Sequence, residues 1–160
     1  MANIIIQSAT ATTDLGRIRS LFREYEQFLQ VDLCFQAFEQ ELANLPGKYA
    51  PPDGELLLAR SNDLAIGCVA LRKLEKGICE MKRLYVKPEG RGTGLGKKLA
   101  EKIITIARQR GYVLMRLDTL ETLTEAVCLY QRLGFRQVSP YYDNPLPGAL
   151  YWELDLRDSF

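Results

Sequence analysis

Apolar residues along the chain follow two spacings, and each spacing predicts a different kind of element. Short apolar runs, unbroken or alternating with polar residues, are typical of strands. Seven such runs occur, at residues 3–8, 56–60, 64–72, 78–86, 112–119, 135–139 and 150–156. Apolar residues three or four positions apart predict helices. This spacing occurs over residues 13–29, around Phe38 and Leu42, and over residues 97–110 and 123–133.

The order of these elements predicts how they pack. They follow as β-α-α-β-β-β-α-β-α-β-β, which indicates one domain over residues 1–160 of the α/β (α+β) class. Short turns join the second, third and fourth strands, so these should form an antiparallel meander. A helix joins the fourth strand to the fifth, so these two should pair in parallel. We therefore expect a mixed, mostly antiparallel central sheet with helices on both faces.

The turn before the third helical segment, residues 97–110, is rich in glycine. It reads Arg91-Gly92-Thr93-Gly94-Leu95-Gly96-Lys97. Glycine has no Cβ, so an anion can approach the backbone amides, and the positive end of the helix dipole favours a phosphate there. A Walker A loop would need Ser or Thr where Lys98 stands, and G-x-G-x-x-G would need glycine where Lys97 stands. A surface turn without a ligand is the alternative interpretation of the glycines alone.

A second motif lies on the helix predicted over residues 123–133. It reads Leu129-Tyr130-Gln131-Arg132-Leu133-Gly134-Phe135. The pair R-G-x-G-L-G and L-Y-x-R-x-G-F, in this order and with a strand between them, resembles the GCN5-related N-acetyltransferase (GNAT) family. The element order resembles the fold of that family over essentially the whole chain. The resemblance implies an acyl-coenzyme A-dependent N-acetyltransferase that uses acetyl-CoA as co-substrate.

The resemblance also implies where acetyl-CoA binds. The pyrophosphate would bind at the glycine turn, through Arg91, Gly92, Thr93, Gly94, Leu95, Gly96 and Lys97. The pantetheine arm would run along the backbone of Leu84, Tyr85 and Val86, with the N–H of Leu84 on the thioester oxygen. Relatives often carry an asparagine after the fifth strand that contacts pantetheine. Here Thr119 or Thr122 is the candidate for that contact.

Two side chains are candidates for the proton transfers. Tyr130 resembles the family tyrosine that protonates the coenzyme A thiolate, and a buried aromatic on a helix is the alternative interpretation. Glu80 is the candidate general base, near where part of the family keeps a glutamate. Alternatively, Glu80 forms an ion pair with Lys82 or Arg72 across the sheet, and a chain of water molecules serves as the base.

The resemblance places the acceptor between the first helices and the last hairpin. Those segments offer the aromatic residues Tyr25, Phe28, Phe35, Tyr141 and Tyr142. We expect an aromatic pocket for a primary amine of a small molecule or peptide, which attacks the thioester directly in a ternary complex. For the helical members of this set, core packing is the alternative interpretation.

Composition narrows the possible functions. A net charge of +1 gives no general attraction to nucleic acid or to an acidic membrane. The chain contains no histidine, which excludes a Ser-His-Asp triad and a histidine-zinc site, and we expect no metal. Four cysteines without a C-x-x-C pair, and no apolar run near 18 residues, predict buried free thiols in a cytoplasmic protein. The sequence leaves open whether the protein is a monomer or a homodimer. It also leaves open the alternative function of a catalytically silent acyl-CoA-binding domain.

Overall fold

Strands and helices follow one another in the predicted order. The computed structural model describes residues 3–33 and 37–157. The strands in this part of the chain are β1 (Ile4–Ser8), β2 (Glu55–Ser61), β3 (Leu64–Glu75), β4 (Ile78–Val86), β5 (Leu114–Leu120), β6 (Arg136–Val138) and β7 (Ala149–Asp155). The α-helices are α1 (Thr12–Leu29), α2 (Phe38–Ala43), α3 (Leu95–Gln109) and α4 (Thr124–Arg132). The predicted element order is thus confirmed.

The strands form one sheet in the order β1-β2-β3-β4-β5-β7-β6. β4 and β5 pair in parallel, and the other neighbouring strands pair antiparallel. α3 supplies the long connection that a parallel pair needs, because a tight turn cannot join parallel strands. The predicted mixed, mostly antiparallel sheet and the β2-β3-β4 meander are confirmed.

The sheet separates two cores, because successive residues of a strand point to opposite faces. In β2, Leu57 belongs to the core under α3, whereas Leu56 and Leu58 belong to the core under α1 and α2. The helices meet these cores with apolar residues at helical spacing. They are Leu95, Leu99, Ile103 and Ala107 of α3, and Ile18, Leu21 and Phe22 of α1. Helices therefore cover both faces, as predicted.

The cysteines are only partly as expected. Cys68 and Cys79 are buried free thiols, but the free thiol Cys128 is exposed on α4. The prediction of burial was wrong for Cys128, because its place in an apolar segment does not fix which side of the helix it occupies. Cys34 lies outside the described residues. No helix in the described ranges combines the length and the apolar character that crossing a membrane requires.

β4 and β5 separate partway along their length. Their pairing covers Ile78 to Glu80 on β4 and Leu114 to Arg116 on β5, although β4 continues to Val86 and β5 to Leu120. On its other side, β4 contains a bulge. Cys68 of β3 is opposite Tyr85, and Ala70 is opposite Lys82. An interval of two residues on β3 therefore pairs with an interval of three residues on β4. The split and the bulge together leave part of β4 facing open space.

Candidate active site

A cavity occupies the split between β4 and β5. β4 contributes Lys82 and Leu84 to its walls, β5 contributes Asp118 and Thr119, and α4 contributes Tyr130. Tyr25 and Leu29 of α1 close it on one side, and Asn144 and Leu146 from the loop between β6 and β7 lie on another. Four of these residues, Tyr25, Leu84, Thr119 and Tyr130, were candidates from the sequence. The structure brings them together in one place.

Leu84, which lines this cavity, lies in the bulge of β4. Arg83 and Leu84 have no register partner on β3, and the pairing with β5 ends at Glu80. Arg83 has a φ of 60°, in the left-handed region that residues with a Cβ rarely adopt. A main-chain N–H held at such a position can stabilise negative charge that develops on a carbonyl oxygen. The Leu84 side chain packs against the core under α3.

A buried ion pair between β4 and α2 fixes Arg83 in this conformation. Its Nε and Nη2 donate to Glu41 Oε2 and Oε1, both at 3.0 Å, and the two side chains are only 3% and 4% exposed. Lys48 Nζ also lies 3.3 Å from Glu41 Oε1. Burial alone would raise the pKa of Glu41, but Arg83 and Lys48 outweigh it and hold that pKa below its usual value. This pair was not among the candidates from the sequence.

Glu80 is buried among three partners and does not line the cavity. Its carboxylate accepts a hydrogen bond from Arg72 Nη1 at 3.0 Å and one from the Tyr141 hydroxyl at 2.6 Å. Lys82 Nζ lies 3.8 Å away. Burial would raise the pKa of Glu80, but Lys82, Tyr141 and Arg72 together lower it. The ion pairs with Arg72 and Lys82 are confirmed, whereas the role of general base stays a prediction.

Asp118 is a carboxylate in the cavity wall that the sequence analysis missed. The Tyr142 hydroxyl donates to Asp118 Oδ2 at 2.5 Å, and Asn144 Nδ2 donates to the same oxygen at 3.0 Å. Burial and the neighbouring Asp118 raise the pKa of Tyr142, so its phenol keeps its proton. The signal available in the sequence was an acidic residue within the strand predicted over residues 112–119. Tyr141 and Tyr142 thus act as donors to two carboxylates.

Tyr130 faces the cavity from α4. It is 7% exposed, and its ring contacts that of Phe135 at 5.7 Å between centroids. Burial, together with Tyr25 and Asp118, raises the pKa of Tyr130 well above its usual range. Burial also raises the pKa of Tyr25 to about 12. Both phenols are therefore protonated at neutral pH and can donate a hydrogen bond into the cavity.

The glycine turn lies just beyond the end of β4. A short 3₁₀ turn, Pro88–Gly90, ends the strand, and α3 begins at Leu95. Gly92 and Gly94 both have a φ of 79°, and a Cβ on either would meet nothing within 4 Å. Glycine is needed there for its backbone conformation and not to relieve crowding. Gly94 is the N-cap of α3, and among the described residues no side-chain hydrogen bond caps this end of the helix.

The remaining candidates lie around this turn. Arg91 Nε donates to the Val86 carbonyl at 3.1 Å, and its guanidinium stacks on the Phe28 ring at 5.0 Å. Phe28 is 47% exposed and does not line the cavity, although its ring and that of Tyr25 both contact the ring of Tyr85. Lys97 is exposed in the first turn of α3. Phe35, the other aromatic candidate, lies outside the described residues.

Comparison with known proteins identifies the class to which this fold and site belong. The model of the Acetyltransferase (GNAT) family matches residues 15–135. An uncharacterised N-acetyltransferase from Schizosaccharomyces pombe is 45% identical over 157 residues, which cover 97% of this chain and 96% of the relative. Fold, site and relatives together define an acyl-CoA-dependent N-acyltransferase. The chain belongs to the GNAT family of acetyltransferases.

Solved structures show the same fold. A GNAT-family acetyltransferase from Staphylococcus aureus Mu50 aligns with a TM-score of 0.81 at 20% identity, covering 97% of this chain and 100% of that one. An acetyltransferase from Salmonella typhimurium, solved with its cofactor acetyl-CoA, aligns with a TM-score of 0.73 at 18% identity. That alignment covers 98% of this chain and 95% of the other. At these identities the likeness concerns the fold alone.

Proposed function

We propose that the protein transfers the acetyl group of acetyl-CoA to a primary amine of a small molecule or peptide, by direct attack in a ternary complex. The observation that carries the proposal is the course of β4. Its bulge opens Leu84 to the cavity, and its last residue, Val86, lies beside the glycine turn and accepts a hydrogen bond from Arg91. One strand thus connects an anion site to a buried site for a carbonyl group.

The glycine turn supports binding of the coenzyme. The amides of residues 92–97 surround two glycines at positive φ, and in the described part of the chain no side-chain hydrogen bond caps the helix that follows. A pyrophosphate bound there accepts hydrogen bonds from these amides and interacts favourably with the helix dipole. The pantetheine arm then follows Leu84, Tyr85 and Val86 where β5 no longer pairs with β4. It adds to the open side of β4 as a strand would.

The cavity supports the chemistry of acetyl transfer. The amine nitrogen forms a bond to the carbonyl carbon while the carbon–sulfur bond breaks. The N–H of Leu84 donates to the carbonyl oxygen, and the Tyr130 hydroxyl gives its proton to the departing thiolate. Asp118 is the carboxylate in the cavity wall, so it binds the acceptor ammonium before that group loses a proton. Glu80 or water is the final proton acceptor.

The test is release of free thiol from acetyl-CoA across a panel of amines, amino acids, amino-acid amides and peptides. Calorimetry with acetyl-CoA alone is the companion measurement. We expect binding heat, and thiol release that depends on an acceptor. Binding without thiol release from any acceptor would identify a silent acyl-CoA-binding domain instead. The absence of both would overturn the proposal.

A further inference from the structure

Lys82 and Asp118 face each other across the split. Glu80 of β4 is in register with Arg116 of β5, and two residues farther along each strand are Lys82 and Asp118. Residues two apart on a strand lie on the same face, so these two side chains lie on opposite walls of the cavity and on the same face of the sheet. Both line the cavity, and the Lys82 side chain is only 7% exposed.

The β4 wall of the cavity carries excess positive charge. Glu80 is shared by two cations, with Arg72 Nη1 at 3.0 Å and Lys82 Nζ at 3.8 Å, and the charges of these three groups sum to +1. Glu41 likewise forms ion pairs with two cations, Arg83 and Lys48. A ligand carboxylate placed at this wall is attracted by the ammonium of Lys82, because an opposite charge close by stabilises a buried charge.

The β5 wall carries the opposite charge. Asp118 accepts hydrogen bonds from Tyr142 and Asn144, which hold its carboxylate in place beside the cavity. Apolar side chains, among them Leu29, Leu33 and Leu146, also line the cavity. The cavity thus has a cation on one wall, an anion on the other, and apolar side chains elsewhere in its lining. A ligand with a carboxylate and an ammonium matches this arrangement.

We propose that the acceptor is an amino acid or a similar compound that carries a carboxylate near its amine, with the carboxylate bound by Lys82 and the ammonium by Asp118. This inference rests on the proposed function and specifies its substrate class. An ammonium group has three donors, so Lys82 binds the acceptor carboxylate while keeping its contact with Glu80. The acceptor is therefore held at both ends before its amine is deprotonated and attacks the thioester.

The experiment compares each free amino acid with its amide, in which a neutral carboxamide replaces the carboxylate. Thiol release is measured at saturating acetyl-CoA. For the preferred acceptor, the wild-type protein should have kcat/KM at least about tenfold higher with the acid than with the amide, as expected for one charge-assisted hydrogen bond. Lys82→Met should remove this preference by raising KM for the acid only, and Lys82→Arg should retain most of it.

The controls separate binding of the carboxylate from a structural role of Lys82. Lys73→Met makes the same substitution on an exposed residue of β3. It should leave kcat/KM for the acid and for the amide unchanged. Acetyl-CoA affinity by calorimetry should be the same for wild type and Lys82→Met. If Lys82→Met slows acid and amide equally, or if the wild type does not prefer the acid, the inference is wrong although the proposed function stands. If no acceptor gives thiol release, the proposed function itself fails.

Discussion

The glycine turn and the cavity lie at opposite ends of one stretch of β4, and they are built in different ways. The turn is exposed and consists of backbone: Gly92 and Gly94 set its shape through their positive φ. The cavity is buried and consists of side chains from several elements, including charged groups whose pKa values depend on their neighbours. Substitutions in the turn should therefore change coenzyme affinity, whereas those around the cavity should change turnover, acceptor binding or stability.

The largest effect should follow from Tyr130→Phe. Loss of the hydroxyl removes the proton donor for the thiolate, and positioned acids of this kind contribute about 100-fold to 10,000-fold to a rate. We expect kcat for thiol release to fall within that range, while the Kd of acetyl-CoA from calorimetry stays the same. Tyr112→Phe is the matched control, since Tyr112 is buried and donates to the Asp53 carbonyl at 2.7 Å, outside the cavity. An unchanged kcat for Tyr130→Phe would exclude the assigned role.

Glu41→Ala should produce the largest loss of stability. It leaves the buried guanidinium of Arg83 without its carboxylate, and breaking such a pair costs about 3–5 kcal/mol. The free energy of unfolding from urea titration measures this loss. Glu39→Ala is the control on the same helix, because Glu39 pairs with Arg23 in similar geometry but in solvent, where the pair contributes little. Equal results for the two variants would show that Arg83 does not depend on Glu41.

Stability should depend on pH through Lys82. Burial lowers the pKa of Lys82 from its ordinary 10.5 to about 8, despite the opposing charges of Glu80 and Asp118. As pH rises from 8 to 10.5, the folded protein loses this proton while the unfolded chain keeps it. The unfolded state then binds more protons, so stability rises with pH over this window.

Unfolding of the wild type and of Lys82→Met isolates this contribution. Their difference in free energy should move in favour of the wild type by up to about 3 kcal/mol across the window, since one pKa unit corresponds to about 1.4 kcal/mol. Below pH 8 the difference should stay constant. A difference that does not change with pH would place Lys82 in a far more polar environment than the cavity provides.

The smallest effect should come from the turn itself. Gly94 and Gly111 lie at the two ends of α3 with φ of 79° and 89°, and a Cβ on either would meet nothing within 4 Å. Alanine at each position should therefore cost about 1 kcal/mol of stability, from backbone strain alone. Only Gly94→Ala should also weaken acetyl-CoA binding, several-fold by calorimetry. Equal affinities for the two variants would place the pyrophosphate elsewhere.

Parts of the site were predictable because their information is local. Pro88 ends β4, and the bounds predicted for this strand, 78–86, agree with the structure. α3 begins at Leu95, two residues earlier than predicted, with Gly94 as its N-cap. Phe28 has the helical spacing of a core residue, yet it is exposed beside Arg91. Spacing identifies a helix but does not say what packs against each position.

The sequence by itself determined the order of the elements, the glycine turn and the tyrosine helix. Glycine, proline and apolar periodicity act on φ and on packing within a few residues, so they can be interpreted without the fold. Only the tertiary structure decided which groups far apart in the chain become partners. Tyr141 meets Glu80 from 61 residues away, Arg83 meets Glu41 from 42 and Tyr142 meets Asp118 from 24. Burial then shifts the pKa values of these groups, because it removes water and makes each pKa depend on the neighbouring charges and hydrogen bonds.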